Sequence, residues 1–335
     1  MTGTTALSPW LPTAPCTPAR CAAHPDPGAG STARAAGAAL AAARLAAGIV
    51  TVLLGVLCVP AARVLPAPAR LALVRYWVRA VVRAFGVRAR FSGLPAPAGR
   101  PLLVVANHVS WLDIPLLAAV LPGRMVAKTE VRQWPVLGAL AVLGGTLFID
   151  RDRLRALPGT VRAMAAVLAG GGRVIVFPEG STWCGRAGGR FRPAAFQAAL
   201  DGGADVQPVR IDYRPTDAAA YVGDDPLGAS LWRLVATRGV TADVRLLEPI
   251  PAARHPDRRS LAAAAQRAVA EAGTAAPQRA VPQRAVLRRA APRASAPLVV
   301  AQRAVASERA NLPSSSVHQR ERSSPASASS SRTPA

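Results

Sequence analysis

Residues 102–113 read Leu-Leu-Val-Val-Ala-Asn-His-Val-Ser-Trp-Leu-Asp. The first five are apolar and too few for a helix, which is the character of a buried strand. The run stops at Ala106, and His108 follows at its carboxyl end, the edge where open α/β sheets bind their ligands. Asp113 comes five residues after the histidine. Across a turn its carboxylate can bond one ring nitrogen, fix the tautomer and stabilise an imidazolium, leaving the other nitrogen to take a hydroxyl proton. Taken alone, the pair also reads as a structural histidine beside a helix-capping aspartate.

Outward from this stretch, short β-like runs alternate with helical ones between Arg88 and Ile250. Strands are expected at Leu102–Ala106, Met125–Ala127, Thr146–Ile149, Val174–Phe177 and Val206–Tyr213, with Val240–Leu247 as an edge strand. Helices are expected at Leu157–Leu168, Pro193–Leu200 and Asp257–Ala272. Such alternation predicts an α/β domain with helices packed on a central sheet.

A second polar cluster, Phe177-Pro178-Glu179-Gly180-Ser181-Thr182, closes the strand at Val174–Phe177. Gly180 permits close backbone approach, Ser181 and Thr182 offer donors, and Glu179 is an unusual residue for a buried strand end. The plainer reading is an ordinary turn punctuated by Pro and Gly.

Asn107-His108-(four residues)-Asp113 together with Phe177-Pro178-Glu179-Gly180 resembles the glycerolipid acyltransferase family, of the lysophosphatidate acyltransferase type. Gly145-Thr146-Leu147-Phe148-Ile149-Asp150-Arg151 and Val206-Gln207-Pro208-Val209 resemble its second and fourth motifs, in the family's order. Ala127–Glu130 and Trp134–Gly138 are similar to it as well, so the likeness covers residues 85–250 or so.

The resemblance implies that His108 deprotonates a lysolipid hydroxyl while Asp113 orients it. The oxygen then attacks the thioester of acyl-CoA or acyl-carrier protein, with no acyl-enzyme. It implies that Arg151 binds a phosphate and that Glu179 belongs to the acceptor site. The acceptor expected first is 1-acylglycerol 3-phosphate, giving phosphatidic acid. One departure stands out: Trp183 occupies a position where phosphatidate-forming members carry an Arg. That raises lyso-ornithine lipid or another lysolipid as the alternative acceptor. A thiol nucleophile at Cys184 is not needed for direct transfer.

The ends of the chain are of a different kind. Residues 1–34 form a Pro/Ala/Thr-rich lead-in, expected to be disordered. Leu45–Ala62 is 18 residues without a charge, roughly 27 Å of helix against ~30 Å of hydrocarbon. It fits a spanning helix, a monotopic helix or a cleaved leader ending near Pro60-Ala61-Ala62; the anchor is favoured. Ala69–Phe85 is amphipathic, with Arg75, Arg79 and Arg83 on one stripe, as suits an anionic membrane surface. Residues 35–86 are thus expected to be membrane-associated helices, 87–273 the catalytic domain and 274–335 a disordered basic tail.

The net charge is +23 over 335 residues, and 51% of them are apolar. The tail holds ten Arg against Glu308 and Glu321, so most of the excess lies in the body. Basic balance favours anionic partners. Without zinc-finger spacing or an aromatic-rich basic patch, the partner expected is the membrane and not nucleic acid. Cys16, Cys21, Cys58 and Cys184 are too scattered for a disulfide framework, which favours a reducing, cytoplasm-facing body at the cell membrane. Cys16, Cys21 and His24 lack a fourth metal ligand, so neither metal nor cofactor is expected.

Overall fold

The structure, a computed structural model, describes residues 13–23, 31–93, 99–134, 137–150 and 153–274. A short helix α1 (Pro18–Cys21) is followed by α2 (Ser31–Leu57), α3 (Val59–Arg63) and α4 (Ala67–Ala84). The α/β body then runs β1 (Arg88–Gly93), β2 (Leu102–Ala106), α5 (Asp113–Val120), β3 (Arg124–Lys128), α6 (Leu137–Leu143) and β4 (Leu147–Ile149). It continues with α7 (Leu157–Ala169), β5 (Arg173–Val176), α8 (Ala194–Asp201) and β6 (Asp205–Arg214). Last come α9 (Thr216–Ala219), α10 (Leu227–Ala236), β7 (Thr241–Leu246) and α11 (Arg258–Thr274).

The seven strands lie in the order β1-β7-β6-β2-β5-β3-β4. All neighbours are parallel except β6 and β7. The expected α/β fold with helices on a central sheet is present, but β7 is no edge strand. It lies between β6 and β1, and the edge is β1, a strand at Arg88–Gly93 that the sequence does not announce because two arginines alternate with its apolar residues. Central β2 is buried along its whole length. Its alternate residues feed two cores: Leu102, Val104 and Ala106 face the helices α4, α5 and α10, while Leu103 and Val105 face α7, α8 and α11. This explains why the run is apolar at every position instead of alternating.

The N-terminal helices are part of this body. Val78, Val81 and Val82 of α4, and Phe85 just after it, are buried in the same core as β2 and α5. Arg75 and Arg79 turn inward, and their guanidinium groups donate to the carbonyls of Val120 (3.4 Å) and Ala119 (3.0 Å) at the C-terminus of α5. A helix leaves its last carbonyls unpaired and carries negative partial charge there, so a cation is favoured at that end. This corrects the expectation of a three-arginine membrane stripe: of the three, Arg83 is exposed, whereas Arg75 is buried and Arg79 half-buried.

Arg44 on α2 acts alike, donating to the carbonyls of Val235 (2.9 Å) and Thr237 (3.0 Å) at the end of α10. Farther along α2, a Cβ at Gly48 or Gly55 would strike the Phe85 or Trp77 ring, and the Trp77 indole donates to the Thr51 carbonyl at 2.8 Å. A helix so fastened does not fit a leader cut off near Ala62. Within α2, Ala35–Leu57 is long and apolar enough to cross a membrane, with mean hydropathy 2.2. Its far end carries exposed Ile49, Val50, Leu53, Leu54 and Leu57.

The expectation of a disordered lead-in is corrected for residues 13–23. Cys16 is buried against Val222 and Cys184, and the Ala23 N–H donates to the Asp217 carbonyl at 3.1 Å. His24 and the basic tail beyond Thr274 lie outside the described residues.

Candidate active site

The site is built where β2 gives way to α5. As β2 leaves the sheet, the Asn107 side chain continues its pairing: its amide donates to the Ile211 carbonyl and accepts from the Ile211 N–H, both at 2.8 Å. The next residue, His108, is held at the strand's end. Asp113 is the first residue of α5 and is fully buried. Its Oδ2 accepts from His108 Nδ1 at 2.7 Å and from the N–H groups of Val109 (2.7 Å) and Ser110 (2.9 Å). Its Oδ1 accepts from the Tyr213 hydroxyl at 2.6 Å. A carboxylate with four donors has no need of water, and as an acceptor it selects the tautomer with a proton on Nδ1, so that Nε2 is the nitrogen free to act as a base. Burial, together with the Asp113 charge, drives the Tyr213 hydroxyl well above its usual pKa, so it stays a donor.

The second motif packs onto the first. The Phe177 ring lies 3.9 Å from the His108 ring at 11°, a stacked pair that sets the imidazole plane. Phe177 to Gly180 is a tight turn, closed by the Gly180 N–H on the Phe177 carbonyl at 3.1 Å, with Gly180 at φ +79°. That left-handed backbone suits glycine. Buried Glu179 accepts from the His108 N–H at 2.8 Å and the Gly189 N–H at 3.0 Å. Burial pushes its carboxyl up to about 7, against the two N–H bonds that favour ionisation. The Trp183 N–H in turn donates to the His108 carbonyl at 2.7 Å, so both backbone groups of His108 are held by the segment after β5.

Beside His108 an open cleft has Glu179, Trp183, Arg186 and Arg210 in its walls. The expected residues thus divide. His108, Asp113 and Glu179 come together, with Glu179 tied to two backbone groups. Gly180 shapes the turn, Ser181 Oγ is buried without a partner, and neither these two nor Thr182 lines the cleft. Arg151 lies outside the described residues. Sequence reasoning missed Tyr213, Phe177 as a stacking partner, and Arg210. Tyr213 carried one signal, as an aromatic at the end of a predicted strand in a chain with few of them.

An imidazole backed by a buried carboxylate, opening on a cleft at the carboxyl edge of an α/β sheet, is an arrangement able to act as a general base on a substrate hydroxyl. The comparisons with known proteins narrow that chemistry. The Acyltransferase family profile matches residues 88–212. A lyso-ornithine lipid O-acyltransferase of Pseudomonas aeruginosa is 42% identical over 206 residues, covering 60% of this chain and 78% of that protein. A 1-acyl-sn-glycerol-3-phosphate acyltransferase of Neisseria gonorrhoeae is 39% identical over 175 residues, covering 50% and 68%. In fold, the chain is similar to the crystal structure of the 1-acyl-sn-glycerophosphate acyltransferase PlsC from Thermotoga maritima. That match has a TM-score of 0.58 and 20% identity, over 73% of this chain and 99% of the other. The chain belongs to the glycerolipid acyltransferase family and is an acyltransferase acting on a lysolipid.

Proposed function

We propose that the chain moves a fatty acyl group from acyl-CoA or acyl-carrier protein to the free hydroxyl of 1-acylglycerol 3-phosphate, giving phosphatidic acid at the cytoplasmic face of the cell membrane. The observation that carries the chemistry is the 2.7 Å bond from His108 Nδ1–H to buried Asp113, which leaves Nε2 for the cleft. Nε2 takes the hydroxyl proton as the oxygen attacks the thioester carbonyl carbon. The tetrahedral oxyanion collapses, the C–S bond breaks, and the leaving thiolate recovers the proton from Nε2. No covalent enzyme intermediate forms. Arg186 and Arg210 in the cleft wall favour an acceptor with an anionic headgroup, to which a guanidinium fork makes charge-assisted bonds.

A second acceptor, lyso-ornithine lipid, is favoured by Trp183, a neutral ring in the cleft where a cation was expected, and by the relative of that name. Assays of the purified protein with both acceptors, followed by product analysis, separate the two and distinguish ester from the free acid of a thioesterase. His108→Ala is expected to lower turnover by about 10²–10⁴-fold, the worth of a positioned base, while vesicle binding persists. Full turnover in that variant would end the proposal. Absence of transfer by the wild type with every thioester and lysolipid pair would favour a non-catalytic, basic membrane-binding protein.

A further inference from the structure

The fold brings together three thiols that are far apart in sequence. Cys16 precedes the short helix α1 and Cys21 ends it, while Cys184 follows Trp183, a residue of the cleft wall. Their sulfurs all lie within 4.8 Å of one another, and all three are free thiols. Cys16 and Cys184 are buried and Cys21 is half-buried. The segment carrying the first two is laid onto the body by the Ala23 bond to Asp217 and by Arg186, which donates to the Cys21 carbonyl at 3.3 Å. Neither the transfer reaction nor the hydrophobic core needs three sulfurs at one point.

We propose that Cys16, Cys21 and Cys184 form a trithiolate site for a borderline-soft divalent cation, Zn²⁺ by preference, which straps residues 13–23 to the wall of the catalytic cleft. The donor set is what such a cation selects, since thiolates bind it in preference to the hard ions that take carboxylates and carbonyls. With Zn–S near 2.3 Å, tetrahedral geometry sets sulfurs roughly 3.8 Å apart. The three sulfurs, all within 4.8 Å of one another, are therefore at most about 1 Å from that spacing. On binding, three S–H bonds give way to three metal–sulfur bonds, and the protons leave to solvent with no change of oxidation state. Water takes the fourth position.

The surroundings are prepared for charge at one sulfur. The backbone N–H groups of Arg186 and Ala187 and the thiols of Cys16 and Cys21 are hydrogen-bonded to the Cys184 sulfur. Donors of this kind around a ligand sulfur orient it and tune the metal. The sequence alone argued against metal here, because Cys16, Cys21 and His24 lack a fourth ligand; Cys184, 163 residues beyond Cys21, is brought in only by the fold.

The site does not depend on which lipid is the acceptor, so its test has its own readout. The full chain, purified in detergent from zinc-supplemented cells, is expected to hold one zinc by elemental mass spectrometry. Cys58→Ser, at an exposed thiol outside the cluster, should keep it. Cys184→Ser and Cys21→Ser should lose it, and cobalt exchange should give the wild type a thiolate charge-transfer band that both variants lack. If a variant fails to fold, alkylation of Cys21 in the wild type decides, because added Zn²⁺ should slow it several-fold. Zinc-free wild type that takes up no cobalt overturns the proposal, as does a disulfide within the trio or an alkylation rate indifferent to Zn²⁺.

Discussion

At the scale of single residues, the site is a histidine held on every side. Asp113 fixes its ring nitrogen, Phe177 its ring plane, and Glu179 and Trp183 its backbone N–H and carbonyl. The first of these contacts was legible in the sequence, because a pair five residues apart across a turn is a local matter. The others come from residues 69 to 75 positions away, and nothing local signals them. Tyr213 shows the same limit, reaching Asp113 from a strand 100 residues on. Tyr213→Phe is expected to lower stability by about 1.5–3 kcal/mol, the range for a hydrogen bond to a charged group, and to lower kcat with KM little changed. Urea unfolding and steady-state kinetics check both; an unaltered kcat would show that Asp113 holds its place without the hydroxyl.

Glu179 makes a prediction in pH. Its carboxyl is raised from 4.5 to about 7 by burial. Between these values the folded chain binds the proton more tightly than the unfolded one, so this group makes stability fall as pH rises from 4.5 to about 7. Glu179→Gln removes the ionisation, and its Tm is expected to vary less with pH over that window than that of the wild type. An equal slope in both proteins would assign the effect to another group.

At the scale of elements, periodicity located most strands and helices but said little about which way a mixed face points. The stripe Arg75, Arg79, Arg83 on α4 has the spacing of a membrane-facing surface, yet two of the three close the carbonyl end of α5. Long side chains at the border of an apolar stripe serve solvent or a buried helix end equally well, and only the partner helix decides. Arg75→Gln with Arg79→Gln is therefore expected to destabilise the fold by on the order of 1–3 kcal/mol and to leave vesicle binding unaltered. Chemical denaturation and vesicle flotation at several salt concentrations measure the two effects separately. Loss of flotation without loss of stability would return these arginines to the membrane.

At the scale of the molecule, the chain combines a body, an apolar helix that continues past it, and a charge of +23. The α/β class was legible because β2 is apolar throughout and its neighbours repeat the pattern. The boundary expected at residue 86 was not a boundary of packing, since Val78 to Phe85 share a core with β2. Hydropathy marks where a helix is apolar, and it is silent on whether protein or lipid covers it.

The bonds that assemble the site run across the middle of the sheet. Asn107 joins β2 to β6, Glu179 joins the end of β5 to the start of the histidine loop, and Tyr213 joins β6 to α5. Sites carried on surface loops commonly fail before the rest of a protein melts, because loops open locally at small cost. Here the loops that carry His108 and Glu179 are bonded to each other, and Asn107 and Asp113 on either side of the histidine are bonded to β6. Under a temperature ramp, inactivation and the collapse of far-ultraviolet ellipticity should share one midpoint, and an enzyme silent well below that midpoint would mean the seam had parted alone.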